Sequence, residues 1–283
     1  MTLDLKGLGY PGTRVVVTGA GSGMGEATAR ILGELGAEVH AVDIQKPKVA
    51  HEAFYETDLR DPSAIEQTIE EVTAGGTRTV DKLFNCAGVS QIPGPMMCML
   101  VNFLGLRHLT ENLLPHVADG GAIASISSGA GMGYLINMEN VFTLLNITDH
   151  AEAKAWCEAH PEVVKEGYSF SKECIIVWTM MRCVDLAEQR TIRINAIGPG
   201  PTETAFMPDV VKQMGQDYFD NFPKPLYHRN ATAEEQAWPL VYLNSDIAGI
   251  VSGQIMWTDQ GMAAGLMTGK IDPSSMIPAD MQQ

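Results

Sequence analysis

Positive charge is scarce in this chain: 19 Lys and Arg stand against 34 Asp and Glu among 283 residues, a formal charge of −15. No basic cluster breaks that balance, which argues against a general nucleic-acid or anionic-membrane surface, since both partners need a basic footprint. The five cysteines (Cys86, Cys98, Cys157, Cys174, Cys183) are odd in number and include no Cys-x-x-Cys pair. Neither a disulfide framework nor a zinc knuckle is indicated. The histidines are scattered, with no His-Glu-x-x-His helix, so no metal site is expected. The first residues lack the basic-then-apolar pattern of a secretory signal, and no apolar run approaches the roughly 18 to 20 residues that span a bilayer. The expectation is a cytoplasmic protein. Only 19% of residues are charged and 45% are hydrophobic, a balance that suits a compact enzyme. The length predicts one sizeable α/β domain over residues 1–283.

What is present starts at Val15. The stretch Val-Val-Val-Thr18-Gly19-Ala-Gly21-Ser22-Gly23-Met24-Gly25 is a buried β-branched run followed by a glycine-rich turn, and Glu26 to Leu32 reads as a helix. A dinucleotide site requires that order. Glycines let the backbone approach a pyrophosphate, and the N–H groups at the helix start favour its charge. Ala37 to Val42 then reads as a second strand ending at Asp43, eighteen residues beyond Gly25. An acidic side chain there accepts hydrogen bonds from the adenosine ribose and repels a 2′-phosphate. With no Lys or Arg in the loop or directly after Asp43, NAD is expected rather than NADP.

Further strands are predicted at Ala53–Thr57, Val80–Cys86, Gly120–Ser127, Thr191–Ile197 and Gln254–Thr258, alternating with helices from Asp61-Pro62 to about Thr73 and from about Met97 to Val117. That rhythm implies a doubly wound, Rossmann-type parallel sheet of about seven strands with helices on both faces. Residues 130–167 interrupt it with a helical insertion of one or two helices, which reads as a lid, a subunit contact or both. From Tyr168 to Arg190 one long helix follows. Its apolar residues, Ile175, Ile176, Val177, Met180, Met181, Val184 and Leu186, are too many for one stripe, so it is expected to be buried on more than one side.

Within that helix, Tyr168 and Lys172 lie four positions apart, hence on one face. Two charges about 4 Å apart interact by about 4 kcal/mol at an effective dielectric near 20. The ammonium is therefore expected to lower the phenol from its usual value of about 10 toward neutrality, where it can exchange a proton with a substrate oxygen. Ser127 and Ser128, after the fifth strand, either hold a carbonyl or alcohol oxygen or cap the loop. Asn102, disfavoured inside a helix, either satisfies a buried backbone group or holds a water linking Lys172 to solvent. Asp58 either touches the adenine edge or is a loop carboxylate.

Taken together, these residues resemble the classical short-chain dehydrogenase/reductase family over most of residues 13–262. The likeness rests on Thr18 to Gly25, on Asn85-Cys86-Ala87-Gly88, on Ser128, on Tyr168 with Lys172, and on Pro199-Gly200-Pro201-Thr202-Glu203-Thr204. It implies that Tyr168 is the acid/base, that Lys172 lowers its pKa and binds the nicotinamide ribose, that Ser128 orients the substrate oxygen, and that Asn102 supports a proton relay. The implied cofactor contacts are Gly19, Ser22, Gly23, Met24, Gly25, Asp43, Asp58, Leu59, Asn85, Ala87, Gly88, Pro199, Gly200, Thr202 and Thr204, together with Tyr168 and Lys172.

A short Asn85–Asn102 connection and a long Ser128–Tyr168 gap resemble the 3α-hydroxysteroid dehydrogenase/carbonyl reductase branch and similar aromatic-alcohol dehydrogenases. Phe206, Met207 and Trp257, with the tail from Met262 to Gln283, are either core or the lining of a bulky apolar pocket. Gln260 stands where a glycine is common in the family, without an evident reason in the sequence. The expectation is an NAD-dependent enzyme for a bulky hydrophobic secondary alcohol or ketone, such as a hydroxysteroid. An aromatic, cinnamyl-type alcohol dehydrogenase is the alternative, and a catalytically silent NAD-binding scaffold is the alternative of another class. A homodimer or homotetramer is expected from the apolar helix.

Overall fold

The computed structural model describes residues 5–273. Seven β-branched or apolar segments form one all-parallel sheet: β1 (Arg14–Thr18), β2 (Glu38–Asp43), β3 (Ala53–Glu56), β4 (Val80–Asn85), β5 (Val117–Ile126), β6 (Arg193–Pro199) and, last in the chain, β9 (Ile255–Thr258). Their order is β3-β2-β1-β4-β5-β6-β9. β1 is buried at all five positions, as expected of a strand covered on both faces. The strand order reverses between β1 and β4, and a crevice opens beyond the carboxyl ends at such a switch point.

Helices cover both faces. On one side, α1 (Gly23–Glu34) brings Ile31 and Leu32 against Val15, Val17 and Val39 of the sheet. On the other, α2 (Pro62–Val72) is started by Asp61, whose carboxylate accepts the Ser63 N–H, and by Pro62 at its first position. The helix predicted at Met97–Val117 begins earlier and changes pitch. It is α-helical as α3 (Pro95–Cys98), π-helical over Met99–Gly105, α-helical again as α4 (Leu106–Leu113), and ends in a 3₁₀ turn over Leu114–His116.

The insertion holds a 3₁₀ segment over Gly129–Leu135, then α5 (Met138–Leu145), α6 (His150–Ala159) and the single turn α7 (Pro161–Val164). Val141, Leu144, Ala153, Cys157 and Val164 share a core with Phe170, Cys174 and Val177 of α8 (Gly167–Gln189). Within the chain the insertion is therefore a buttress for the long helix. It explains why Phe170 to Thr179 are buried without a break, an arrangement one sheet face cannot give. In the second half of α8, Met180, Met181 and Val184 are exposed on this chain, beyond the reach of the insertion.

Beyond β6 come a two-residue pairing of β7 (Thr202–Glu203) with β8 (Ala231–Thr232), and between them α9 (Met207–Met214) and α10 (Gln216–Asn221). The helix α11 (Ala233–Asn244) opens with a reciprocal capping box between Thr232 and Glu235 and packs on α1. The short α12 (Met262–Met267) follows β9, and the rest of the expected tail from 274 onward lies outside the described residues. Among the described residues no helix is long and apolar enough to cross a membrane, and no group of His, Cys, Asp or Glu could hold a metal ion.

Candidate active site

Close backbone contact builds the site. A Cβ placed on Gly19 would stand 2.6 Å from the Ala87 backbone, and one on Gly25 would stand 2.1 Å from the Gly19 carbonyl. Gly19 also takes a positive φ of 68°. These positions admit glycine alone, so the turn after β1, the start of α1 and the loop after β4 close into one rigid cradle. Thr18 locks it, its hydroxyl accepting the Cys86 and Ala87 N–H groups at 3.1 and 3.2 Å. Ser22 precedes α1 in extended conformation with no side-chain cap, leaving the helix start to face the crevice. Such a start favours an anion.

At the end of β2, Asp43 accepts the Gly21 N–H at 2.8 Å and the Gln45 N–H at 2.9 Å. Its carboxylate is thereby fixed beside the cradle. Asp58 and Arg60 grip one another as a bidentate pair at the same end. This pair lowers the Asp58 pKa, mainly through the hydrogen bonds from Arg60.

Of the residues the sequence singled out, Gly19, Ser22, Gly23, Met24, Gly25, Asp43, Asp58, Leu59, Ala87, Gly88, Pro199, Gly200, Thr202 and Thr204 line one cavity of about 840 Å³. Ser128, Tyr168 and Lys172 line it too. Two asparagines do not. Asn85 is buried and donates to Thr110 and Ser125, tying β4 to α4 and β5. Asn102 lies behind the wall within the π-helical turn: its carboxamide accepts the Val89 N–H at 2.8 Å and donates to the Val89 carbonyl at 3.1 Å. Of its two sequence readings, the arrangement matches the satisfied-backbone one. A π turn of this kind re-aims a side chain that regular α-helical pitch would direct elsewhere.

Tyr168 and Lys172 do share a face, but they do not pair as expected. Lys172 Nζ donates to the Ile126 carbonyl at 2.8 Å and stands 5.7 Å from the centre of the Tyr168 ring. Burial pushes the lysine down to about 8. The Tyr168 phenol is raised above its usual value by burial, against a lowering by the Ser128 hydroxyl. The expected lowering is thus corrected: burial raises the phenol, and the amine that would lower it is turned to the Ile126 carbonyl. Ser128 also accepts the Ala130 N–H, so it caps the loop and faces the phenol at once. Ser127, which also lines the cavity, is buried and donates to the Lys172 carbonyl.

The cavity continues past Tyr168 into an apolar half walled by Pro93, Met97, Phe206, Met207, Val210, Phe219 and Phe222, with Glu166 and Gln213 as its polar members. Phe206 lies 5.7 Å from the Tyr168 ring, centre to centre. Trp257 is not part of this wall. Its ring covers Gly198, where a Cβ would come within 2.2 Å, so it belongs to the sheet face.

Some positioning residues gave no signal in the sequence. Gln91 accepts the Tyr168 N–H at 2.8 Å and donates to the Lys165 carbonyl at 3.0 Å, joining the loop after β4 to the start of α8. Ser90 donates to Asp209 of α9 at 2.7 Å across the cavity mouth. Their partners lie 77 and 119 positions away, beyond any local spacing rule.

Comparison with known proteins agrees with this architecture. Residues 13–140 match the family described as short chain dehydrogenase, and residues 144–263 match the one described as Enoyl-(Acyl carrier protein) reductase. The chain is 30% identical over 251 residues to coniferyl-alcohol dehydrogenase of Pseudomonas sp. (strain HR199), covering 89% of this chain and 96% of that one. It is 29% identical over 263 residues to 3-alpha-hydroxysteroid dehydrogenase/carbonyl reductase of Comamonas testosteroni, covering 88% and 96%. The crystal structure of 3-alpha-hydroxysteroid dehydrogenase from Pseudomonas sp. B-0831, complexed with NADH, superposes with a TM-score of 0.74 at 24% identity, covering 92% of this chain and all of that one. A glycine-closed cradle at the switch point, a Ser-Tyr-Lys group beside it and these matches over nearly the whole length lead to one conclusion: the chain belongs to the classical short-chain dehydrogenase/reductase family of oxidoreductases.

Proposed function

We propose that this protein is an NAD-dependent dehydrogenase/reductase for a bulky, hydrophobic secondary alcohol or ketone. One observation carries the reading: Ser128, Tyr168 and Lys172 line the same cavity as the glycine cradle and the apolar walls. The cradle fits a dinucleotide, because side chains on Gly19 and Gly25 would collide with backbone and the uncapped start of α1 faces the crevice. When bound, the nicotinamide supplies a hydride acceptor or donor.

The chain's own residues do the rest. Ser128 donates to the substrate oxygen and orients it, and Tyr168 takes the hydroxyl proton during oxidation or returns it during reduction. Lys172, buried below the Tyr168 ring, holds the nicotinamide ribose. Asn102 acts indirectly by fixing Val89 beside the reacting groups. The apolar walls exclude water and accept a large carbon skeleton.

Two features support NAD over NADP. Asp43 is held beside the cradle by the Gly21 and Gln45 N–H groups, and the nearby Arg60 is taken up by Asp58 rather than offered to a phosphate. Among the described residues the cations lining the cavity are Arg60, held by Asp58, and Lys172, turned to the Ile126 carbonyl, which favours neutral substrates over carboxylates or phosphates. A cinnamyl-type aromatic alcohol is the second reading, favoured by the aromatic walls Phe206, Phe219 and Phe222 and by the likeness to a coniferyl-alcohol dehydrogenase. A silent scaffold is disfavoured, since Ser128, Tyr168 and Lys172 all reach the cavity. A homodimer or homotetramer is supported by the apolar side chains that α8 leaves exposed at Met180, Met181 and Val184.

The test is an NADH-fluorescence screen against steroid, terpenoid and aromatic alcohols, run with wild type and Tyr168→Phe. Turnover of bulky neutral alcohols that collapses in the variant, with NADH binding retained, supports the reading. Wild-type activity in the variant would remove Tyr168 from its role.

A further inference from the structure

The roof of the apolar half is the segment between β7 and β8. It carries Met207, Val210, Phe219 and Phe222 to the cavity on α9 and α10, and then returns to the scaffold through residues 223–230. That return is fastened to α11 by the Arg229–Glu235 ion pair and, from the far end of the chain, by one further side chain. Gln260 Oε1 accepts the Tyr227 N–H at 2.9 Å, and Gln260 Nε2 donates to the Arg229 carbonyl at 2.6 Å. A single carboxamide thus serves two backbone groups of the return loop, one a donor and one an acceptor.

The backbone at Gln260 explains why this is informative. It holds φ 62°, in the left-handed region, next to Gly261 at φ 93°. The turn is forced by Asp259, whose carboxylate accepts the Gly261 and Ala263 N–H groups to start α12. Glycine would occupy position 260 without strain, so the turn itself does not call for a glutamine. What glutamine adds is the tie. Between the tie and the cavity wall the chain is short and itself braced: Lys224 Nζ donates to the Phe219 carbonyl, and the His228 N–H donates to the Lys224 carbonyl. A displacement at Tyr227 is therefore passed to Phe222 and Phe219.

We infer that Gln260 is a positioning residue for substrate: through Tyr227 and Arg229 it sets how closely Phe219 and Phe222 close over a bulky alcohol or ketone. This rests on the proposed use of the apolar half as the substrate site. Gln260 touches neither the cradle nor the Ser128–Tyr168 pair, so cofactor binding and the chemical step are outside its reach.

The experiment compares wild type with Gln260→Gly, which keeps the turn and removes the tie, and with Gln260→Glu, which keeps the acceptor for Tyr227 and loses the donor to Arg229. In Gln260→Gly the KM for the best bulky alcohol rises about tenfold, the order expected for losing two hydrogen bonds that hold a binding wall. The kcat and the KM for NAD stay within about twofold, and the Glu variant falls between. Hydrogen exchange over Phe219–Tyr227 speeds up in Gln260→Gly while the unfolding midpoint holds or rises, because backbone strain is relieved. A destabilised variant with unchanged KM would mark a purely structural tie and overturn the inference, as would unchanged exchange across the loop. If the wild type turns over none of the bulky alcohols, the function reading fails on its own. Gln260 is then judged by exchange at Phe219 and Phe222, where unchanged protection overturns it.

Discussion

The floor and the roof of the cavity are built by opposite means. The floor, from Thr18 to Gly25 and from Asn85 to Gly88, is backbone packed on backbone, closed by glycines whose replacement has nowhere to go. The roof, from Met207 to Arg229, is a pair of short helices fastened by polar side chains: Ser90 to Asp209 at one end and Gln260 to Tyr227 and Arg229 at the other. Backbone contact fixes one geometry and tolerates almost no substitution. Side-chain ties fix a position through one or two hydrogen bonds, so the roof can be retuned without disturbing the floor. A constant cofactor half and an adjustable substrate half follow from that difference.

Variants that break each part separately test this contrast, and the greatest effect is expected where the two halves meet. Tyr168→Phe lowers kcat by about 10²- to 10⁴-fold, the usual contribution of a placed acid/base, and leaves NADH binding in place by fluorescence titration. Breaking the floor comes next. Gly19→Ala costs about 1–3 kcal/mol from overpacking alone, with added strain from its positive φ, and reads out as a lower urea midpoint together with weakened NADH binding. Asp43→Ala lowers kcat/KM for NAD by about tenfold or more, the loss of a charged hydrogen-bond partner, and narrows the gap to NADP. Equal kcat/KM values for the two cofactors in the wild type would remove the role given to Asp43.

Breaking the roof has a milder and more selective outcome. Ser90→Ala frees Asp209 and raises the KM for a bulky alcohol several-fold with the KM for NAD unchanged; a matching rise for both would show that floor and roof are one unit. The smallest effect is a change in pH dependence. Ser128 holds the Tyr168 pKa down against burial. Removing its hydroxyl lets the pKa rise, so the acid limb of the kcat/KM profile for alcohol oxidation moves to higher pH in Ser128→Ala, besides any loss in rate. A shift to lower pH would contradict the hydrogen bond. The buried Lys172 has a stability signature of the opposite sense. Its pKa falls from 10.5 to about 8 on folding, so this side chain's own contribution to stability rises with pH across that window, against the opposite contribution of the buried Cys86, Cys98 and Cys157 thiols, which folding pushes up. In Lys172→Met that rise is absent from urea midpoints measured over the same range.

Local pattern made most of the floor legible. β-branched runs, glycine spacing and the acidic end of the second strand are all encoded within a few residues of one another, so the doubly wound sheet and the cradle could be anticipated from them. Tyr168 and Lys172 were legible for the same reason, since helical periodicity puts them on one face. Their electrostatics were not. The spacing says that a phenol and an ammonium are neighbours, but only the fold says that both are buried and that the amine turns to Ile126. Asn85, read as a cofactor contact from its motif position, has its side chain turned by the strand pleat to Thr110 and Ser125.

From the chain alone came the doubly wound sheet, the place of the dinucleotide cradle and the residues that can exchange a proton, because each depends on short-range periodicity and on residues that few conformations accept. Only the folded molecule decided that the insertion buttresses α8, that Trp257 covers the sheet at Gly198, and that Gln91, Ser90 and Gln260 hold distant segments in place. Those decisions depend on contacts between positions far apart in sequence, and a single hydrogen bond across such a distance leaves no periodic trace in the residues between its ends.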